Sequence, residues 1–224
     1  MCNDKKIKLD DAYSLKTPAD NVALYRNWAE TYDTEFARDR GYQYPQQIAD
    51  IYSRYAGAHD VPVLDVGSGT GLVALTMREH HAIDSQLTID GVDISPEMLE
   101  VSKKKNLYRQ LFERDLSQSI ELPKNHYGAV VSAGTFTHGH VGPEALAKLL
   151  PLCRSSALFI IGINGTAFDQ YHFGSHLAAL QADRQITPIE FVRVTYYANA
   201  DDDHGADQGF AAIFRKASLY TPDP

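Results

Sequence analysis

The chain has 224 residues, 44% of them hydrophobic and 22% charged, with a formal net charge of −8. That length suits one α/β domain with additions, and the composition is that of an ordinary globular protein. The acidic excess argues against a nucleic-acid partner, because binding a phosphate backbone takes clustered Lys and Arg.

Residues 1–16 are polar and of mixed charge and are expected to be a flexible N-terminus. Thr17 and Pro18 read as the N-cap and first position of a helix. Its face carries Val22, Tyr25, Trp28, Ala29, Tyr32 and Phe36 at spacings of three and four. A second helix is predicted from Pro45, through Ile48, Ile51, Tyr52 and Tyr55, to about Gly57. Strands then alternate with helices. Strands are expected at Val61–Val66, Leu87–Asp93, Gln110–Glu113, Tyr127–Ala133 and Ser156–Ile163. The helices between and after them span about Gly71–His80, Ser95–Lys105, Pro143–Leu150 and Phe168–Ala182. Two β-rich runs, Ile189–Ala198 and Gly209–Lys216, suggest a hairpin closing the sheet edge. The alternation predicts a doubly wound, mostly parallel sheet of seven strands with an antiparallel C-terminal hairpin and an N-terminal helical lid. The division expected is a single domain over 17–217: helical lid 17–58, ligand-binding core 61–164, substrate side 165–217, and then a tail.

The most telling segment is Asp65-Val66-Gly67-Ser68-Gly69-Thr70-Gly71, a strand end running into a turn with glycine at alternate positions. Such a backbone lets a ligand lie against the main chain. A dinucleotide fingerprint requires G-x-G-x-x-G, and here Leu72 stands where the third glycine belongs. In an open α/β sheet, ligands bind beyond the carboxyl ends of the strands. Asp93 ends the second predicted strand, where an acid accepts hydrogen bonds from ribose hydroxyls. Asp115 follows the third, suited to an exocyclic amine, with Ile94, Met98 and Leu116 as apolar cover for a base. Three such residues at successive strand ends describe a nucleoside pocket.

On these residues the stretch 61–164 resembles the core of the class I S-adenosylmethionine (SAM)-dependent methyltransferases. Asp65–Gly71 matches their first motif, Gly91-Val92-Asp93-Ile94-Ser95 the ribose-binding motif, and Arg114-Asp115-Leu116 the adenine-side motif. Trp28-Ala29-Glu30-Thr31-Tyr32-Asp33 is similar to the W-A-x-x-Y-D segment of small-molecule members, in which an N-terminal helix lids the cofactor. More loosely, 20–216 is similar to the methyltransferase-like group named for the Williams–Beuren chromosomal region. The resemblance implies SAM as cofactor and S-adenosylhomocysteine as product. It points to a cofactor set of Tyr25, Trp28, Asp65, Gly67, Gly69, Gly71, Asp93, Ile94, Met98, Asp115, Leu116 and Ala133. The fourth strand ends Val131-Ser132-Ala133-Gly134-Thr135, without the Asn/Asp-Pro-Pro-Tyr/Phe of many base- and glutamine-methylating enzymes.

The expected function is methyl transfer to a small-molecule acceptor by in-line displacement. The protein's share is to align the reactants and exclude water. His138 and His140 are the candidate base or positioning residues, with pKa values suited to neutral pH. Tyr171, His172 and His176 are weaker candidates. Tyr25, Trp28, Tyr32, Tyr42 and Tyr44 either wall an aromatic pocket or pack the N-terminal helices. The acidic run Asn199–Asp207 reads as a solvated loop or as a flap over substrate, and Lys103-Lys104-Lys105 as a solvated helix end. No metal is expected. Two alternatives stand beside this reading: a non-catalytic SAM-binding module, or aminopropyl-type transfer from a related nucleoside. Two distant cysteines, no apolar leader and no long apolar run lead to the expectation of a cytoplasmic protein with no membrane partner; a monomer or homodimer is expected.

Overall fold

The computed structural model describes residues 18–38, 40–137, 141–198 and 208–218. Helix α1 spans Pro18–Trp28, and a π-helical segment, Tyr32–Arg38, follows after a short turn. The single helical face expected through Phe36 is therefore broken at residues 29–31, and the Phe36 side chain lies outside the described residues. Helix α2 (Tyr44–Tyr55) buries Ile48, Ala49, Ile51 and Tyr52 on one side, as its three-and-four spacing requires.

The alternating core then runs β1 (Val63–Val66), α3 (Leu72–Glu79), β2 (Ile89–Asp93), α4 (Pro96–Lys104), β3 (Gln110–Glu113) and β4 (Tyr127–Phe136). It continues with α5 (Glu144–Leu149), β5 (Cys153–Asn164), α6 (Gly165–Gln170), α7 (Phe173–Ala182), β6 (Glu190–Thr195) and β7 (Gln208–Arg215). The one helix expected over 168–182 is two, because His172 adopts φ 58° between α6 and α7. The strands form one seven-stranded sheet in the order β3-β2-β1-β4-β5-β7-β6. β7 pairs antiparallel with both β5 and β6, while the remaining neighbours pair parallel. The expected hairpin forms, but its second strand is inserted between β5 and β6, so β6 is the edge.

Successive residues of the central strands face opposite layers. Val63, Val131 and Ile160 pack with α2 and α3, whereas Leu64, Val130, Phe159 and Ile161 pack with α5 and α7. Strands buried on both faces explain the nearly unbroken apolar runs of β4 and β5. The chain reverses between β1 and β4, and the carboxyl ends of these strands open onto one cavity.

The amino-terminal side of the sheet is held by a polar clamp. Arg109 donates to both oxygens of Asp90, at 2.9 and 2.6 Å, and the buried Tyr127 hydroxyl donates to the same carboxylate at 3.1 Å. Asp90 is 1% exposed, and these donors supply the hydrogen bonds that water would otherwise give a buried polar group. Asp90→Ala should cost about 3 kcal/mol, read as a lowered midpoint in urea unfolding.

Candidate functional site

The floor of the cavity follows from the glycine spacing. Gly67, Gly69 and Gly71 all take positive φ, at 67°, 50° and 91°, which side chains with a Cβ rarely adopt. The turn is pinned to the neighbouring strand by Gly67 and Ser68 N–H groups, which donate to the Val92 carbonyl at 2.8 and 3.0 Å. A Cβ on Gly67 would lie 1.8 Å from Thr135 Oγ1, so that glycine lets β4 approach. A Cβ on Gly69 would meet nothing within 4 Å and would instead fill the cavity.

Asp93, at the end of β2, holds the next part of the wall. Gly69 N–H donates to its Oδ2 at 2.8 Å and Ser95 N–H to its Oδ1 at 2.9 Å. Burial raises the carboxyl above its ordinary range, and these N–H donors oppose the shift. Each oxygen keeps acceptor capacity on its other side. Ser95 caps α4 by accepting from Met98 N–H at 3.3 Å, which sets Ile94 and Met98 on the wall beside Asp115 and Leu116. Asp115 closes its own turn by accepting from Ser117 N–H at 2.8 Å.

The opposite wall is a bulge. β4 was expected to end at Ala133 but continues to Phe136, with a register shift against β5 after Ser132 and with Gly134 at φ 86°. Ala133, Gly134 and Thr135 are thereby brought onto the cavity. Over the top lie Tyr25, Trp28 and Tyr32, with Trp28 and Tyr32 edge to face at 5.2 Å.

Of the residues expected to hold the cofactor, all but Asp65 and Gly71 line this cavity. Gly71 lies behind the loop, where a Cβ would meet Ser102 and Tyr108 at 3.1 Å. Asp65 is fully buried beneath it and accepts from the Tyr108 hydroxyl at 2.6 Å. Its second oxygen has no hydrogen-bond partner among the described residues. Burial pushes its pKa up to about 7, opposed by the Tyr108 hydrogen bond.

His138, His140 and the acidic run 199–207 lie outside the described residues. Tyr171, His172 and His176 are not among the cavity's lining. Tyr42 and Tyr44 are, joined by Gly162, Asn164, Tyr196 and Tyr197 from the ends of β5 and β6. Sequence reasoning missed this second group, although its position at carboxyl strand ends was a usable signal. It also misread Lys105. The Lys105 ammonium pairs with Asp33 at 2.5 Å, and Thr70 Oγ1 donates to the other Asp33 oxygen at 2.6 Å. Arg26 adds a contact from α1 to Glu97 on α4 at 2.7 Å. The lid segment is thus tied to the glycine loop and to both ends of α4. Among the described residues, no cluster of His, Cys, Asp or Glu is suited to a metal, and no helix is long and apolar enough to cross a membrane.

Residues 63–156 match the family described as methyltransferase domain. The chain is 31% identical over 141 residues to Methyltransferase-like protein 27 of Homo sapiens, covering 62% of this chain and 56% of that protein. It is 30% identical over 141 residues to a malonyl-[acyl-carrier protein] O-methyltransferase of Halalkalibacterium halodurans, covering 60% and 51%. The chain therefore spans about half the length of these curated relatives. A SAM-dependent methyltransferase structure from Methanococcus maripaludis superposes with a TM-score of 0.60 at 18% identity, over 89% of this chain and 94% of that one. At that identity the likeness establishes the shared fold.

The Asp65 carboxyl sets a pH dependence. Its folded pKa, about 7, lies above the unfolded value near 3.9, so folding favours the protonated form. That contribution is intact below about pH 4 and is lost as pH rises through about 7. Asp65→Asn should flatten the fall in stability between pH 5 and 8, measured as the difference in urea midpoints between variant and parent.

Proposed function

We propose that this chain transfers a methyl group from S-adenosylmethionine to a small-molecule acceptor, a reading supported by the match of residues 63–156 to the methyltransferase-domain family and by the shared fold. The observation that carries the reading is the pairing of Asp93 with Gly69. A carboxylate fixed by two backbone N–H groups stands beside a glycine whose missing Cβ leaves the space open. That combination fits a ribose lying against the main chain.

In this reading Gly67 to Gly69 and Ala133 to Thr135 receive the amino-acid portion of the cofactor. Asp93 accepts from the ribose hydroxyls and Asp115 from the exocyclic amine, while Ile94, Met98 and Leu116 cover the base. SAM supplies an activated methyl on a sulfonium. The protein's residues orient the acceptor and exclude water, and the Tyr25, Trp28 and Tyr32 lid is suited to both. Tyr25, Tyr32 and Tyr42 all have pKa values raised by burial and by neighbouring charge. They remain protonated phenols at neutral pH and act by packing and hydrogen bonding rather than as bases. Proton acceptance, where an acceptor needs it, falls in this proposal to His138 or His140, on their sequence position alone.

Two measurements test it. Calorimetry should detect S-adenosylhomocysteine binding, and Asp93→Ala should weaken it at least about tenfold, the loss expected for hydrogen bonds to a charged group. Absence of binding by the parent chain at millimolar ligand would sink the proposal. Asp33→Ala, which cuts the lid from Thr70 and Lys105, should speed S-adenosylhomocysteine dissociation about tenfold in stopped flow and leave the unfolding midpoint nearly unchanged.

A further inference from the structure

The half of the cavity away from Asp115 is walled by a closed circuit of tyrosines. Ring centroids lie 6.3 Å apart for Tyr42 and Tyr44, 4.7 Å for Tyr44 and Tyr196, 6.2 Å for Tyr196 and Tyr197, and 5.8 Å for Tyr197 and Tyr42. All four rings line the cavity. Two glycines let the circuit close. A Cβ on Gly162 would come within 2.1 Å of the Tyr44 hydroxyl, and one on Gly209 within 2.1 Å of the Tyr196 hydroxyl.

The circuit is held from outside as well. Gln43 N–H donates to the Tyr196 carbonyl at 2.9 Å, and Tyr42 and Tyr197 form an antiparallel bridge. Gln47 both donates to the Thr195 carbonyl, at 2.5 Å, and accepts from its N–H, at 3.2 Å. Rings fixed in this way lose little freedom when a ligand arrives.

The charge around them is one-sided. Among the described cavity-lining residues the only cation is Arg114, beside Asp115 at the other end, while Asp93 and Asp115 are both carboxylates. An anionic group would find no described Lys or Arg lining the cavity here, since Arg40, which packs against the Tyr197 ring, is not among the lining residues. A cation would meet electron-rich ring faces, which attract it most strongly where water is excluded. One such contact already exists within the chain, where the Arg40 guanidinium lies 5.8 Å from the centre of the Tyr197 ring.

We infer that the tyrosine circuit is the acceptor subsite and that it selects a small molecule bearing an alkylammonium group or the amine that becomes one. This deepens the proposed methyl transfer and rests on it. Burial keeps the Tyr42 phenol protonated, so that residue presents no phenolate to the ligand.

The test uses the full chain saturated with S-adenosylhomocysteine, whose own titration reports separately on the cofactor reading. Choline and its uncharged isostere, 3,3-dimethylbutan-1-ol, are then titrated by calorimetry. Choline should bind at least about fivefold more tightly, as ring–cation attraction in a partly desolvated site requires. Tyr197→Phe should keep that preference, and Tyr197→Leu should erase it while leaving S-adenosylhomocysteine affinity unchanged. Equal binding of the two probes would overturn the subsite, as would tighter binding of the anion 3,3-dimethylbutanoate. Either result, with S-adenosylhomocysteine still bound, leaves the methyltransferase reading standing.

Discussion

Much of this molecule depends on how closely β4 approaches the end of β1. The Val66 carbonyl accepts from Ser132 Oγ at 2.8 Å and from Thr135 Oγ1 at 2.9 Å. Thr135 reaches it because Gly67 has no side chain to hold it away. The resulting bulge turns Ala133 and Gly134 inward, so two strands that reverse the sheet order also frame its cavity. A buried carbonyl satisfied twice by side chains is a strong constraint, since leaving it unpaired would carry a full desolvation cost.

The lid is attached to that frame by charge. Asp33 accepts from Thr70 on the glycine loop and pairs with Lys105 at the end of α4. Both ion-pair partners are partly shielded, at 29% and 23% side-chain exposure. Such a contact contributes more than a fully exposed pair and far less than the packing around it. It positions Tyr25, Trp28 and Tyr32 over the cavity. Lid and floor therefore belong to one device in which residues far apart in sequence fix each other.

Electrostatics divides the cavity along its length. Toward Asp93 and Asp115, carboxylates and backbone N–H groups offer directed hydrogen bonds. Toward Tyr42 and Tyr197, the surface is aromatic, and burial keeps the Tyr42 phenol protonated. Directed acceptors suit a ligand of fixed hydrogen-bond pattern, such as a nucleoside. Ring faces grip by shape and quadrupole and tolerate more variety. The proposed division between a cofactor half and an acceptor half thus has a physical basis.

The alternation of strands and helices, the glycine turn and the acids at strand ends were all legible in the sequence. Each is a local pattern: buried strands are apolar throughout, positive φ selects glycine, and Ser95-Pro96 caps a helix whatever surrounds it. The insertion of β7 within the sheet, the extra length of β4 and the break between α6 and α7 were not. Each depends on what a segment meets across the fold rather than on its own residues. Asp65 makes the same point, since its place in a glycine motif says nothing of the Tyr108 hydroxyl that covers it. The tyrosine circuit is the clearest case. Tyr42 and Tyr44 stand more than 150 positions from Tyr196 and Tyr197, and no periodicity links them. Sequence by itself determined the glycine-turn half of the cavity, because backbone conformation there demands particular residues. Only the tertiary structure decided the tyrosine half, because a wall of side chains exists only once distant strand ends and helices have been brought together.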